Sequence, residues 1–274
     1  MKKLLLPTDF SGCAQNALNY ALLISKKLQT DIHLLHVYPP VYNFSSGSEE
    51  YEQKQEEDAN QKFDELQQKI WQREEFRRIS ITRETRKGDV ISEIIDIAEK
   101  TQADLIVMGT LGAGGIKSII GSNTSEVVHS APVPVLSIPA NFRPDKVRRM
   151  IFATDLNTMD IGAITTLAPI ISKLKLPLEV VHVYPEHDEE EDMLYRGFVE
   201  KVKENIPTAS ITFHKINTDD VERGLARFTD DYGDAILTMT IYEKEFFHKL
   251  LSQDIAEEMV LGGTTPMLVL RGKK

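Results

Sequence analysis

What this chain has little of excludes more than what it has in plenty. It carries one cysteine, Cys13, in 274 residues, so no internal disulfide can form and a reducing compartment is expected. At the start of a helical stretch, Cys13 reads as small packing filler. No apolar run approaches the ~20 residues of a membrane span. The opening Met1, Lys2, Lys3 and three leucines begins like a signal peptide, but Pro7, Thr8 and Asp9 cut the run far short of an h-region. Cytoplasmic placement with no membrane partner is the expectation. Positive charge is also short: 32 Lys and Arg against 42 Asp and Glu leave a net charge of -10. A nucleic-acid partner, which needs a basic face, is therefore not expected. No His, Cys, Asp and Glu cluster has metal-ligand spacing, no G-x-S-x-G elbow occurs, and no serine has a base nearby. Nothing stands out as a catalytic residue. The acidic run at 187–192 reads as a solvated loop and helix start.

What is present is one unit written twice. LLLPTDF at 4–10 returns as MIFATDL at 150–156, and IHLLHVYP at 32–39 returns as LEVVHVYP at 178–185. Both pairs keep one offset of 146, from Asp9 to Asp155 and from His36 to His182. ADLIVM at 103–108 then matches DAILTM at 234–239, and PVPVLSI at 132–138 matches TPMLVL at 265–270. Four blocks in one order argue for duplication. Strands are expected near 3–7, 31–37, 78–84, 104–108 and 133–138, and helices near 11–28, 49–74, 89–101 and 123–130. Short continuous apolar strands alternating with helices predict an α/β fold with parallel, doubly wound sheets. Phe63, Leu66, Ile70 and Trp71 form the apolar side of the long polar helix at 49–74, residues 43–48 read as a mobile loop, and 141–146 read as the linker.

The feature richest in chemistry is the stretch 108–123. An apolar strand feeds Gly109, Gly112, Gly114 and Gly115, then Gly121 and Ser122 precede a helix that opens on Asn123. Glycine allows close backbone approach and positive φ, and a helix N-terminus offers unpaired N–H groups to an anion. Strand, glycine loop and helix start outline a phosphate site. It is not a Walker A loop, because Ile116 separates Gly115 from Lys117, and it is not a dinucleotide fingerprint, because it follows a late strand. A ligand in a doubly wound sheet lies beyond the strand ends where the winding reverses. Asp9, at the first strand's end, suits either hydrogen bonds from a sugar or base, or a cap on the following helix. His36 and His182 read as buried, hydrogen-bonded histidines.

Together LPTDFS at 6–11, LLHV at 34–37, MGTLG at 108–112 and Gly121-Ser122 resemble the universal stress protein family in a tandem two-domain form. The family signature is G-x2-G-x9-G-S/T; here eight residues, 113–120, separate Gly112 from Gly121, one fewer than the signature. The resemblance implies two five-stranded parallel sheets ordered 3-2-1-4-5 and flanked by helices. It divides the chain into an N-terminal ATP-binding domain, 1–143, and a degenerate C-terminal domain, 144–274. It implies ATP as ligand, with Mg or Mn accompanying the phosphates. Pro7, Thr8 and Asp9 would line the adenosine, and Val37 would meet adenine through its backbone. Met108, Gly109 and Gly112 would pass beneath ribose and phosphates, and Gly121, Ser122 and Asn123 would hold the phosphate tail.

In the second half, at an offset of 131, Thr240, Glu243, Ser252 and Gln253 replace Gly109, Gly112, Gly121 and Ser122. Added side chains and a like charge oppose nucleotide there. The resemblance gives that half an architectural use: the last strands, 133–138 and 267–270, would pair within the chain and cover two sheet edges. A homodimer is also compatible with it, while the protein partner and the stress signal stay unspecified. The expected function is a nucleotide-dependent stress-response switch with slow ATP hydrolysis at most. The rivals are a nucleotide-free dimerising scaffold and an adenine-nucleotide hydrolase or transferase.

Overall fold

The computed structural model describes residues 1–40, 48–110, 122–143, 146–185, 189–206, 210–230, 234–241 and 265–272. The first half runs β1 (Lys3–Pro7), α1 (Gly12–Leu28), β2 (Asp31–Tyr38), α2 (Ser48–Trp71), β3 (Ile81–Lys87), α3 (Val90–Lys100), β4 (Leu105–Gly109), α4 (Ser122–Ser130) and β5 (Val135–Ile138). The second half runs β6 (Arg149–Thr154), α5 (Thr158–Leu174), β7 (Leu178–Tyr184), α6 (Glu189–Asn205), β8 (Ile211–Asn217), α7 (Val221–Asp230), β9 (Ala235–Ile241) and β10 (Met267–Arg271).

The described strands join into a single sheet of order β3-β2-β1-β4-β5-β10-β9-β6-β7-β8. Each half keeps the expected 3-2-1-4-5 order, all parallel. At the centre β5 and β10 pair antiparallel, Leu136 facing Leu268 and Val135 facing Val269. The expected pairing of the last strands is what turns two sheets into one.

Strand alternation divides the core between two faces. Leu4, Leu6, Leu34, Val107, Leu136, Phe152, Val180 and Leu268 pack beneath α1, α2, α5 and α6. Leu5, Leu35, Ile106, Met108, Ile151, Val181, Leu237 and Val269 pack beneath α3, α4 and α7. Both halves enter their first helix through one kind of turn. Phe10 and Leu156 take φ of 63° and 65°, and Ser11 and Asn157 cap α1 and α5 by accepting from Ala14 N and Met159 N.

Three sequence expectations fail in informative ways. β3 lies at Ile81–Lys87, three residues beyond the expected 78–84, and reads ITRETRK rather than as an apolar run. It is an edge strand with one neighbour, so burial does not dictate its pattern, and its charges guard the edge. Trp71 is the second case: it is 53% exposed, while Phe63 and Ile70 are buried. Trp71 is the last residue of α2 and lies about 100° around the helix from buried Ile70. The acidic run also departs from a wholly solvated reading, since Glu191 pairs with His182 and Asp192 with Lys215. The expected loop at 43–48 falls, apart from Ser48, outside the described residues, as do 144 and 145 of the linker.

Candidate functional site

β1 lies between β2 and β4, and the winding reverses there: α1 leaves β1 on one face, while α4, after β4, lies on the other. The strand ends therefore part into a crevice at this switch point. Pro7 pairs with Leu35 in register, and Thr8 N donates to Leu35 O at 2.8 Å. His36 Nδ1 lies 2.8 Å from Thr8 O, holding the turn after β1 against β2. Val37 follows, half-buried, beside Arg86 of β3. On the other side, Met108 and Gly109 end β4, and Thr110 N donates to Ile138 O at 3.0 Å.

The start of α4 is tied to this end of the sheet. Thr124, buried, donates its hydroxyl to Gly109 O at 3.0 Å. Ser122 opens the helix and Asn123 is exposed on its first turn. Helix N–H groups and the helix dipole thus sit beside the strand ends. Pro7, Thr8, Asp9, Val37, Met108, Gly109 and Asn123 all belong to this one end of the sheet, together with the backbone of Ser122. Gly112, Gly121 and Lys117 lie outside the described residues, as does the Ser122 side chain.

Several of these residues have structural work that the sequence did not separate from ligand work. Asp9 Oδ1 accepts from Ser11 N at 3.0 Å, and Asp155 Oδ1 accepts from Asn157 N at 3.1 Å in the second half. Asp9 thus braces the turn ahead of α1 while Ser11 caps the helix itself, an arrangement common to both halves. A Cβ on Gly109 would stand 2.7 Å from Cys13 Sγ and 2.9 Å from the Cys13 carbonyl carbon. Close approach of α1 to β4 is thus one reason for glycine at 109, alongside any ligand. Cys13 itself is buried, with Sγ 3.5 Å from Ile138 O, which matches the filler reading. Burial lowers the pKa of His36, so it is neutral at pH 7, and its ring lies 4.7 Å from that of Phe10. Thr124 escaped the sequence reading; its only signal was a hydroxyl residue in the first turn of the helix after the glycines.

In the second half the same end of the sheet is built differently. Thr240 stands where Gly109 does, and Asp160 where Ala14 does. Thr154 Oγ1 donates to Asp160 Oδ2 at 2.6 Å, and burial pushes the Asp160 carboxyl up to about 7. His182 lies between Thr154 O, at 2.9 Å, and Glu191 Oε1, at 2.5 Å. Both histidines are thus hydrogen-bonded and at least half buried, as the sequence suggested. Glu243, Ser252 and Gln253 lie outside the described residues. Among the described residues no group of three or more His, Cys, Asp or Glu is placed to hold a metal, and no helix is long and apolar enough to cross a membrane.

The sequence model of the universal stress protein family matches residues 1–139, half of the chain. The chain belongs to the universal stress protein family. A universal stress protein of Methanocaldococcus jannaschii is 33% identical over 141 residues, spanning 50% of this chain and 81% of that relative. A solved universal stress protein from Archaeoglobus fulgidus superposes with a TM-score of 0.76 at 19% identity, covering 99% of this chain and 98% of the other. That coverage extends the fold to both halves of this universal stress protein. A second solved structure, a putative universal stress protein from Pseudomonas aeruginosa, covers 99% of this chain and 93% of its own at 18% identity and a TM-score of 0.65.

Proposed function

We propose that residues 1–143 form an adenine-nucleotide-binding domain that takes ATP, and that 144–274 form a second domain without nucleotide. The observation that carries this reading is the Thr124–Gly109 bond, which holds the first turn of α4 against the strand ends beside β1. Backbone N–H groups and a positive helix end are placed where a phosphate chain would run, in a chain whose net charge of -10 gives no general attraction for an anion. Pro7, Thr8 and Val37 lie on the adenosine side of such a ligand, and Gly121, Ser122 and Asn123 on its phosphate side.

A divalent ion, Mg or Mn, would be held chiefly by the phosphates themselves, since the described residues offer no cluster of ligands. Hydrolysis would be slow at most, because the sequence offers no arginine finger or lysine clamp here and Lys117 is the only basic side chain of the glycine loop. ATP would then act as a switch, changing a surface beside the strand ends that a protein partner or a second copy reads. The single thiol, with no second cysteine in the chain to pair with, supports a cytoplasmic setting.

The test is mass spectrometry of nucleotide released from purified protein, wild type beside Gly121→Val. ATP in the wild type and none in the variant is the expected result. Equal nucleotide in both would place the site elsewhere. None in either, with no heat on titration with ATP, ADP or AMP, would favour the scaffold reading, to which the loop one residue shorter than the family signature already lends weight.

A further inference from the structure

The second half holds a cavity at the place where the first half has its crevice. Its volume is about 110 Å³, and it lies among the ends of β6, β7 and β9 and the start of α7. Val181, Val183, Leu225 and Met239 supply apolar wall, and Val221, 38% exposed, stands on its solvent side. Gly224 lets α7 lie this close, since a Cβ there would stand 2.8 Å from Thr218 Cγ2 and 3.1 Å from Val183 Cγ1.

Besides Thr154 and His182, two more buried polar side chains line the same space, Asp160 at 2% exposure and Thr240 at 4%. They stand at the positions of Ala14 and Gly109, so two small residues have been replaced together by a carboxyl and a hydroxyl. The Thr240 hydroxyl is near enough to stabilise the Asp160 carboxylate, yet among the described residues its oxygen has no partner in hydrogen-bond geometry. A hydroxyl buried without a partner is unfavourable, and a ligand that supplied one would relieve it. Among the described residues no lysine or arginine lines the cavity, whereas Asp155 and Asp160 do. Anions, phosphates included, are thereby disfavoured.

We propose that this cavity is a binding site for a small uncharged molecule with an apolar ring or short chain and one hydroxyl or carbonyl that pairs with Thr240. Its size suits about six heavy atoms, since a dry engineered cavity of ~150 Å³ accommodates benzene. The apolar walls supply the affinity and Thr240 the orientation. This site is independent of the nucleotide reading: it lies in the other half and uses none of the same residues.

The test is methyl NMR of the full chain titrated with cyclopentanol and, in a separate sample, with ATP. Cyclopentanol should give saturable shifts at the methyls of Val181, Val183, Leu225 and Met239. Val221→Trp, made at a partly exposed position, should fill the space and abolish those shifts. Thr240→Val keeps the shape and removes the hydroxyl, so affinity should fall about three- to ten-fold. Shifts that fail to saturate in the wild type, that persist in Val221→Trp, or that are indifferent to Thr240→Val would overturn the proposal. The ATP sample reports separately through Val37 and Met108, so failure of one site is distinguishable from failure of the other.

Discussion

Asp160 shows how one residue can set the pH behaviour of a fold. Its carboxyl is 2% exposed, and burial raises it to about 7 from an ordinary 3.8. The hydroxyls of Thr154 and Thr240 work against this rise, and the neighbouring Asp155 adds to it. The unfolded chain therefore releases this proton near pH 4 while the folded chain keeps it to about pH 7. The group's contribution to stability is present below the lower value, is lost as pH climbs between the two, and is flat above the upper one. At ~1.4 kcal/mol per unit the loss is at most on the order of 4 kcal/mol, with the positive end of α5 reducing it. Asp160→Asn keeps an acceptor for Thr154 and removes the titration. In urea titrations, the variant's stability relative to wild type should rise by a few kcal/mol from pH 4 to pH 8. An unchanged difference would mean that Asp160 is ionised throughout. The residue types at 154, 155 and 160 were plain in the sequence, but nothing there brought Asp160 under Thr154, because α5 folds back over the end of β6 only in three dimensions.

At the scale of the element, α2 separates what helical spacing can and cannot say. Phe63, Leu66, Ile70 and Trp71 share one apolar side in the sequence, yet Phe63 is 1% and Trp71 53% exposed. Phe63 meets the ring of Phe10 edge-on at 5.1 Å, so it locks α2 over the turn that ends β1. Phe63→Ala should cost about 3–5 kcal/mol in chemical denaturation, whereas Trp71→Ala should stay within roughly ±0.5 kcal/mol. Equal losses would show that α2 is seated differently. The element boundaries tell a similar story. β1 begins and ends where the apolar pattern put it, and α1, α3 and α4 begin and end within a residue of it, because caps and buried runs mark them locally. β3 is displaced by three residues, because an edge strand with a charged sequence takes its register from β2 alone.

At the scale of the whole molecule, the central pair β5 and β10 makes each half's stability the other's concern. Leu268 faces Leu136 across that pair, and both are at least 93% buried beneath α1 and α5. Ser137 Oγ adds a longer contact to Met267 O at 3.4 Å. Arg271 donates to Ala131 O at 3.2 Å, just beyond the end of α4 that faces away from the crevice. Leu268→Asp should bury a charge at this seam and cost at least about 3 kcal/mol. Hydrogen exchange should then accelerate in β4 as well as in β9, one strand on each side of the seam. Acceleration confined to β9 would mean that the halves unfold independently.

Sequence alone determined the duplication, the parallel α/β units, the order of strands implied by family resemblance and the loss of glycines from the second half, because each is written in local patterns and repeated blocks. Tertiary structure decided the rest. Only packed coordinates show that Gly109 is needed for the approach of α1, that Thr124 ties α4 to β4, and that Asp160 and Thr240 meet in one cavity. These are contacts between residues far apart in the chain, and their chemistry depends on burial, which no stretch of sequence specifies by itself.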